Sequence, residues 1–486
     1  MTTLLDAGEW AGKIYSGGWV DGAGGAFASV EPATGRQLAE VGAAGPEDVK
    51  RAVQRASDAQ RAWAATPYNI RAGVLRRAAD LLVEHHVELE EWEVREAGLP
   101  RYFAGPLVAA EDFRQAAALA SAPLGDVLPS VQPRLSFTRR RPVGVVGVIS
   151  PFNGPLILAA RALGPALAIG NAVVLKPDPR TAVSGGVAFA RLFEEAGLPP
   201  NLLHVLPGGG NIGQALVTHP LVPVIAFTGS VTAGRKVAQL AAGMLKRVHL
   251  ELGGNSALVV LEDADVEQAV QAGSFGSFHH AGQVCMASSR HLVATPVVEE
   301  YTALLAERAE KLRVGDPAAD DGVAYGPLID AAARDRVHAL VHDSVAAGAR
   351  LMTGGSFDRL FYQPTVLADV PLGARAYLEE IFGPVAPVVA FKDIDEAARL
   401  ASQTEYGLSL AILTRDIVGG LALAERVPVG MVHINDQTST GEAIAPFGGV
   451  GLSGNGYRIG GQAANLEAFT EVQWVTINQE PGSYPF

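Results

Sequence analysis

Residues 142–176 read PVGVVGVISPFNGPLILAARALGPALAIGNAVVLK, and this stretch decides the fold class. Val143–Ile149 and Ala172–Leu175 are short, β-branched apolar runs, and they flank Pro155–Ala168, a segment of helical length. A run that is apolar on both faces fits a buried strand of a parallel sheet, and strand–helix–strand is the repeating unit of such a sheet. The pattern continues downstream. Runs at Leu202–Leu206, Val222–Phe227 and Val248–Leu250 alternate with helical stretches at Ser184–Ala196, Ile212–Thr218 and Thr232–Ala242. A second alternation comprises Ser256–Val260, Val266–His280, His291–Val293, Val297–Lys311, Ala332–Ala347 and Asp395–Ser402. The expected class is therefore α/β: a doubly wound parallel-sheet domain followed by a second α/β domain.

Upstream, residues 47–97 carry helical periodicity, with Val49, Val53, Ala56 and Ala59 on one face. Ser121–Pro142 is turn-rich and basic, with Arg134, Arg139, Arg140 and Arg141. It reads either as an arm crossing to another subunit or as a surface hairpin. Residues 471–479 alternate like an edge strand.

At 486 residues the chain is too long for one core. Its 48% hydrophobic and 18% charged residues make an ordinary globular composition. A net charge of −13 argues against nucleic acid or an anionic membrane as a partner. The single cysteine excludes an intrachain disulfide and a cysteine-based metal cluster, and no metal site is expected. It also agrees with a reducing cytoplasm. Met1–Val20 lacks the basic-then-apolar pattern of a secretory signal. Pro142–Ala160 is uncharged and of membrane length, but Pro151 and Pro155 break it into a strand, a loop and a helix start. There is no G-x-S-x-G for a serine hydrolase and no H-E-x-x-H for a metalloprotease, and His279-His280 is read as structural.

Residues 143–250 hold eight Lys or Arg against three acids, a local positive field inside an acidic chain. At the strand C-termini of a parallel sheet this suits an anionic ligand. Gly208, Gly210 and Gly213 form G-x-G-x-x-G between a strand and a helix, without the acid expected about twenty residues on. Gly229-Ser230, again between strand and helix, is a second place for a pyrophosphate.

Cys285 lies in GQVCMAS, residues 282–288, after an apolar helix. A lone cysteine is ordinarily a small buried hydrophobe, and it becomes a nucleophile only with a nearby base and an organised electrophile site. Several motifs supply the missing groups. His249–Asn255 reads HLELGGN, placing Glu251 thirty-four residues before Cys285; Ser150–Asn153 reads SPFN and Asn171–Pro177 reads NAVVLKP. Glu379–Pro384 reads EEIFGP, Pro446–Gly449 reads PFGG, and Glu31–Gly35 reads EPATG. In that order and spacing the chain resembles the aldehyde dehydrogenase superfamily along its whole length.

That resemblance implies an oxidoreductase that converts an aldehyde to a carboxylic acid through a thioester. Cys285 matches the nucleophile, Asn153 the oxyanion donor and Glu251 the general base. Ser150, Lys176, Gly213, Gly229, Ser230, Glu380 and Phe382 match cofactor-binding positions, Lys176 and Glu380 those at the two riboses and Phe382 that beside the nicotinamide. Residues 1–123 and 143–253 would form the NAD(P)-binding domain and 254–452 the catalytic domain. Residues 124–142 and 470–486 would form a β oligomerisation arm of a homodimer or homotetramer.

Some positions depart from the family pattern. Pro179 stands where NAD-preferring members carry a Glu, and Arg180 beside it could pair with a 2′-phosphate, so NAD is expected with NADP as a rival. Gly154 replaces a bulky aromatic and would widen the substrate tunnel, with Phe447 as a further substrate-side residue. Val432–Asp436 (VHIND) and Lys176–Thr181 (KPDPRT) look most like the benzaldehyde dehydrogenase branch. An aromatic aldehyde is the expected substrate, ahead of an aliphatic aldehyde or a semialdehyde. Glu251 disfavours a CoA-acylating enzyme, in which this base is commonly missing.

Overall fold

A computed structural model describes residues 3–482 and 484–486; Met1, Thr2 and Ser483, which belong to the expected first and last segments, lie outside the described residues. The chain builds two seven-stranded sheets. In the first, the strands run in the order Arg247–Glu251, Val224–Thr228, Val145–Ile149, Ala172–Lys176 and Leu203–Val205, all parallel. Two antiparallel strands from the N-terminus, Lys13–Ser16 and Trp19–Asp21, extend it. Val145–Ile149 and Ala172–Lys176 are buried at every position, which is why they read as unbroken apolar runs.

Helix Pro155–Ile169 makes the crossover between them. Proline occupies its first turn, where a missing N–H costs nothing, and Gly170 ends it in a left-handed conformation at φ 110°. The periodic region before it forms three helices, Pro46–Ala65, Tyr68–Glu84 and His86–Ala97, packed into the same core as the first sheet. The stretch expected as one helix over 184–196 begins with a π turn at Val183–Val187 before Ala188–Glu195. The membrane-length run resolves into strand, loop and helix, and no helix among the described residues is long and apolar enough to cross a membrane.

The second sheet is ordered Arg350–Thr353, Thr365–Ala368, Val385–Phe391, Ser288–Ala294, Ser256–Val260, Ser409–Leu413 and Met431–Ile434. All neighbours are parallel except the first pair. Sequence reading found two of these strands and passed over the other five. The chain enters this sheet once by a short crossing: Glu251 ends a strand of the first sheet, and Leu252–Asn255 lead into Ser256–Val260 of the second. It returns afterwards, since Ile459, Leu466, Ala468 and Phe469 pack into the first core.

The basic segment is a hairpin within the chain. Leu135–Pro142 pairs antiparallel with Thr470–Ile477 along its length, while Leu124, Asp126 and Leu128 bond to its other side. Val131, Val472, Trp474 and Ile477 remain exposed on this small sheet.

Arg290 pins the crossing. Fully enclosed, its guanidinium donates to the carbonyl oxygens of Asn255 at 3.0 Å, Leu400 at 2.9 Å and Ala401 at 3.0 Å, with no carboxylate partner among the described residues. Arg290→Met would orphan three buried carbonyls while relieving a buried charge. A net loss of about 2–4 kcal/mol is expected, read by urea denaturation.

Candidate active site

Strand polarity assembles the site. In the first sheet the parallel strands present their C-terminal ends together. Asn153 and Gly154 follow Val145–Ile149, Lys176 closes the next strand, Gly229-Ser230 follow Val224–Thr228, and Glu251 closes Arg247–Glu251. The second sheet offers its N-terminal ends. Ser256–Val260, Ser288–Ala294 and Val385–Phe391 lie side by side and parallel, so the residues entering them gather: Gly253-Gly254, Cys285, and Glu380 with Phe382.

The approach is close. A Cβ on Gly253 would overlap the Glu380 carboxylate, and one on Gly254 would overlap the carbonyl oxygen of Cys285. The Gly-Gly pair of HLELGGN thus has a steric reason that the motif alone did not reveal. The Gly254 N–H donates to Glu380 Oε1 at 3.0 Å.

Cys285 follows a strained turn. His280, Ala281 and Gly282 are all left-handed, at φ 49°, 54° and 67°, and such backbone persists only where the surroundings dictate it. Gly282 has no alternative residue, because a Cβ there would strike the Gly383 carbonyl. Buried Gln283 then locks the segment. Its Oε1 accepts from the Ile329 N–H at 2.9 Å, and its carbonyl oxygen accepts from Asn153 Nδ2 at 2.8 Å. The last contact joins the loop of one sheet to the thiol-bearing turn of the other. Gln283 was missed as a contributor, although it stands inside the quoted cysteine motif.

Burial pushes the Cys285 thiol up to about 12, helped by the negative charges of Glu380 and Glu251 and opposed by Arg161. Burial likewise raises Glu251 well above the carboxylate range, against the pull of Arg458 and Arg161. Neither carboxylate oxygen of Glu251 has a hydrogen-bond partner among the described residues. Its strand end is latched by Ser453–Asn455: the Leu252 N–H donates to Ser453 O at 3.0 Å, and Asn455 Nδ2 donates to Val248 O at 2.8 Å. Burial sets Glu380 at about 7, moderated by the Gly254 N–H and Arg336.

Glu251 also borders a small cavity with Leu158, Arg161, Phe447 and Ile459. Arg161 lies over the Phe447 ring at 4.9 Å and 3.9 Å from buried Asp112. Sequence reading counted Arg161 only among the basic residues of 143–250. Gly154, at the cap of helix Pro155–Ile169, leaves space: an added Cβ would meet only Leu158, at 3.4 Å.

The residues present fit a dinucleotide. The Ser150 hydroxyl is buried without a partner among the described residues, and Lys176 is buried at its strand end. Ser230 caps helix Val231–Ala242 by accepting from the Ala233 N–H, and the Gly229 N–H is held by the Glu251 carbonyl. Gly213 faces Ile149 across the neighbouring helix start. Phe382, left-handed at φ 51°, meets Phe152 edge-on at 6.1 Å. Arg180 differs from expectation. Its guanidinium is already paired with Asp178 and Asp330 and stacked on Phe152, so it is no free counter-ion for a 2′-phosphate.

Cys285 is the only cysteine, which makes its ionisation measurable. Iodoacetamide should alkylate the native protein at a rate rising about tenfold per pH unit through pH 8 to 10, because only the thiolate reacts. A plateau near pH 8.5 would contradict the burial argument.

Comparison with known proteins agrees with this geometry. The profile of the aldehyde dehydrogenase family matches residues 19–475. A vanillin dehydrogenase from Amycolatopsis sp. is 56% identical over 486 residues, covering 100% of both chains. A benzaldehyde dehydrogenase [NAD(+)] from Pseudomonas putida is 48% identical over 482 residues, covering 98% of each. The crystal structure of a salicylaldehyde dehydrogenase from Pseudomonas putida G7, complexed with salicylaldehyde, superposes with a TM-score of 0.94 at 35% identity, covering 98% of this chain and 99% of that one. With its two sheets meeting at a lone thiol and the profile spanning nearly its full length, the chain belongs to the aldehyde dehydrogenase family.

Proposed function

We propose that the protein oxidises an aromatic aldehyde to its carboxylic acid with NAD, through a thioester on Cys285. The observation carrying this reading is the convergence, from two different sheets, of one thiol, the Asn153 amide and a buried Glu251 with no hydrogen-bond partner among the described residues. The aromatic substrate follows the vanillin and benzaldehyde dehydrogenases 56% and 48% identical to this chain, and NAD follows the second of them.

Cys285 adds its sulfur to the carbonyl carbon, and its proton passes to Glu251 directly or through water. The carbonyl oxygen becomes an oxyanion. Asn153 Nδ2 has two hydrogens; Gln283 O takes one, and the other meets the oxyanion together with the Cys285 backbone N–H. Ser150, Lys176, Gly213, Gly229, Ser230, Glu380 and Phe382 would hold the dinucleotide, which when bound supplies the acceptor for the hydride lost from the substrate carbon as the thioester forms. Glu251, having released the thiol proton to solvent, then takes a proton from the water that attacks the thioester carbon, and the sulfur departs as a thiolate that is reprotonated as the acid is released. The substrate ring lies beside Phe447 in the space opened by Gly154. Residues 1–123 and 143–253 serve the cofactor, 254–452 the chemistry, and the exposed arm of 124–142 and 470–486 joins copies into a homodimer or homotetramer.

Benzaldehyde and vanillin should support reduced-nicotinamide formation at higher kcat/KM than hexanal, and NAD should outperform NADP. Equal rates with hexanal would contradict the aromatic assignment. Asn153→Ala should lower kcat roughly 10²–10³-fold. Because Glu251 is held protonated well above the ordinary carboxylate range, activity should rise with pH beyond that range as it ionises. Glu251→Gln should flatten this limb and cut the rate about 10²–10⁴-fold.

A further inference from the structure

Arg180 uses every nitrogen of its guanidinium. Nε and Nη2 grip the two oxygens of Asp178, each at 2.9 Å, while Nη1 reaches Asp330 Oδ2 at 2.7 Å. The plane of the group rests on the Phe152 ring, with its central carbon 4.3 Å from the ring centroid. Asp178 and Phe152 belong to loops at the strand ends of the first sheet. Asp330 lies in the part of the chain that builds the second, where it caps helix Ala331–Ala346 by accepting from the Ala333 N–H at 2.8 Å.

These contacts close a ring. Phe152 precedes Asn153, whose amide donates to Gln283 O. Gln283 Oε1 accepts from the N–H of Ile329, the residue before Asp330. Asp330 binds Arg180, and Arg180 returns to Phe152. The circuit crosses between the two halves of the molecule twice, at Asn153–Gln283 and at Arg180–Asp330, and Cys285 stands two residues beyond Gln283.

We propose that Arg180 is a positioning residue for the reaction: by tying the Phe152–Asn153 loop to the Ile329–Asp330 segment that locks Gln283, it sets the distance between the oxyanion donor and the Cys285 sulfur. The inference rests on the proposed thioester chemistry. Arg180 is the residue suited to this place, since its planar fork binds one carboxylate with two bonds and still offers a third nitrogen to another, which a lysine ammonium cannot do in the same geometry. Both Arg180 and Asp330 are part-exposed, and exposed ion pairs contribute little to folding. The clasp therefore acts on geometry at the seam more than on stability. Misplacement by about 1 Å in such a site costs up to roughly 10²-fold in rate.

The test uses the purified full-length protein and benzaldehyde with NAD. Arg180→Met should lower kcat roughly tenfold, while the KM for NAD and the NAD-to-NADP activity ratio stay close to wild type; the melting temperature should stay close to wild type in Asp330→Asn, where Asp178 keeps its partner. Arg180→Lys should restore only part of the loss. Asp330→Asn, which keeps the helix cap and removes the charge, should reproduce the Arg180→Met loss. Alkylation of Cys285 by iodoacetamide, a reaction with no oxyanion, should proceed at the wild-type rate in both. In an Asn153→Ala background, Arg180→Met should cost nothing further, because the group it positions is gone. Wild-type kcat in both Arg180→Met and Asp330→Asn would overturn the proposal. So would a loss confined to NADP, or a loss that multiplies in full with that of Asn153→Ala. An inactive wild-type enzyme would instead overturn the reading of the reaction itself.

Discussion

One buried hydrogen bond, from Asn153 Nδ2 to the carbonyl oxygen of Gln283, spans the seam on which the rest of the structure depends. The site has no home in either sheet. One sheet contributes its C-terminal strand ends, the usual place for an anionic ligand in a parallel α/β layer, and the other contributes the entrances to three parallel strands. The reacting groups meet only because the two are held in register. That register is enforced by backbone proximity, since Gly253 and Gly254 leave no room for side chains between Glu380 and the Cys285 carbonyl.

Burial at this seam also sets the electrostatics. Thiol and carboxylate are both pushed toward their neutral forms by loss of water, and for the thiol the charges of Glu380 and then Glu251 add to it. A neutral pair is a sensible resting state, since an unprotected thiolate is prone to oxidation and to stray electrophiles. Arg161 and Arg458 oppose the shift on Glu251. Arg161 contributes this charge from the crossover helix between the first two strands of the fold's central motif.

The first sheet was legible in sequence because its parallel strands are buried on both faces, leaving apolar runs bracketed by helices, as at Val145–Ile149 and Ala172–Lys176. Most of the second sheet was not. Strands such as Arg350–Thr353 and Met431–Ile434 are partly exposed and short, while the buried runs Val385–Phe391 and Ser409–Leu413 lie to either side of helix Ile394–Ser402, and Pro387 inside the first speaks against a strand. The family motifs pointed to Cys285, Glu251 and Asn153, but roles carried by long-range contact left no local signature. Gln283 bonds to residues 130 positions upstream and 46 downstream, and Arg161 meets the ring of Phe447, far along the chain. For Arg180 the sequence offered an inviting positive charge, and only the fold revealed the two acids that already claim it.

The account stands on a covalent bond between the Cys285 sulfur and an acyl carbon. Intact-protein mass spectrometry of Glu251→Gln, quenched in acid after mixing with benzaldehyde and NAD, addresses it directly. The mass should rise by one benzoyl group, located by peptide mapping to Cys285, because loss of the Glu251 base slows attack by water more than acylation, in which solvent can take the thiol proton. An unmodified protein in the presence of continuing aldehyde oxidation, or an acyl group on any other residue, would contradict the account.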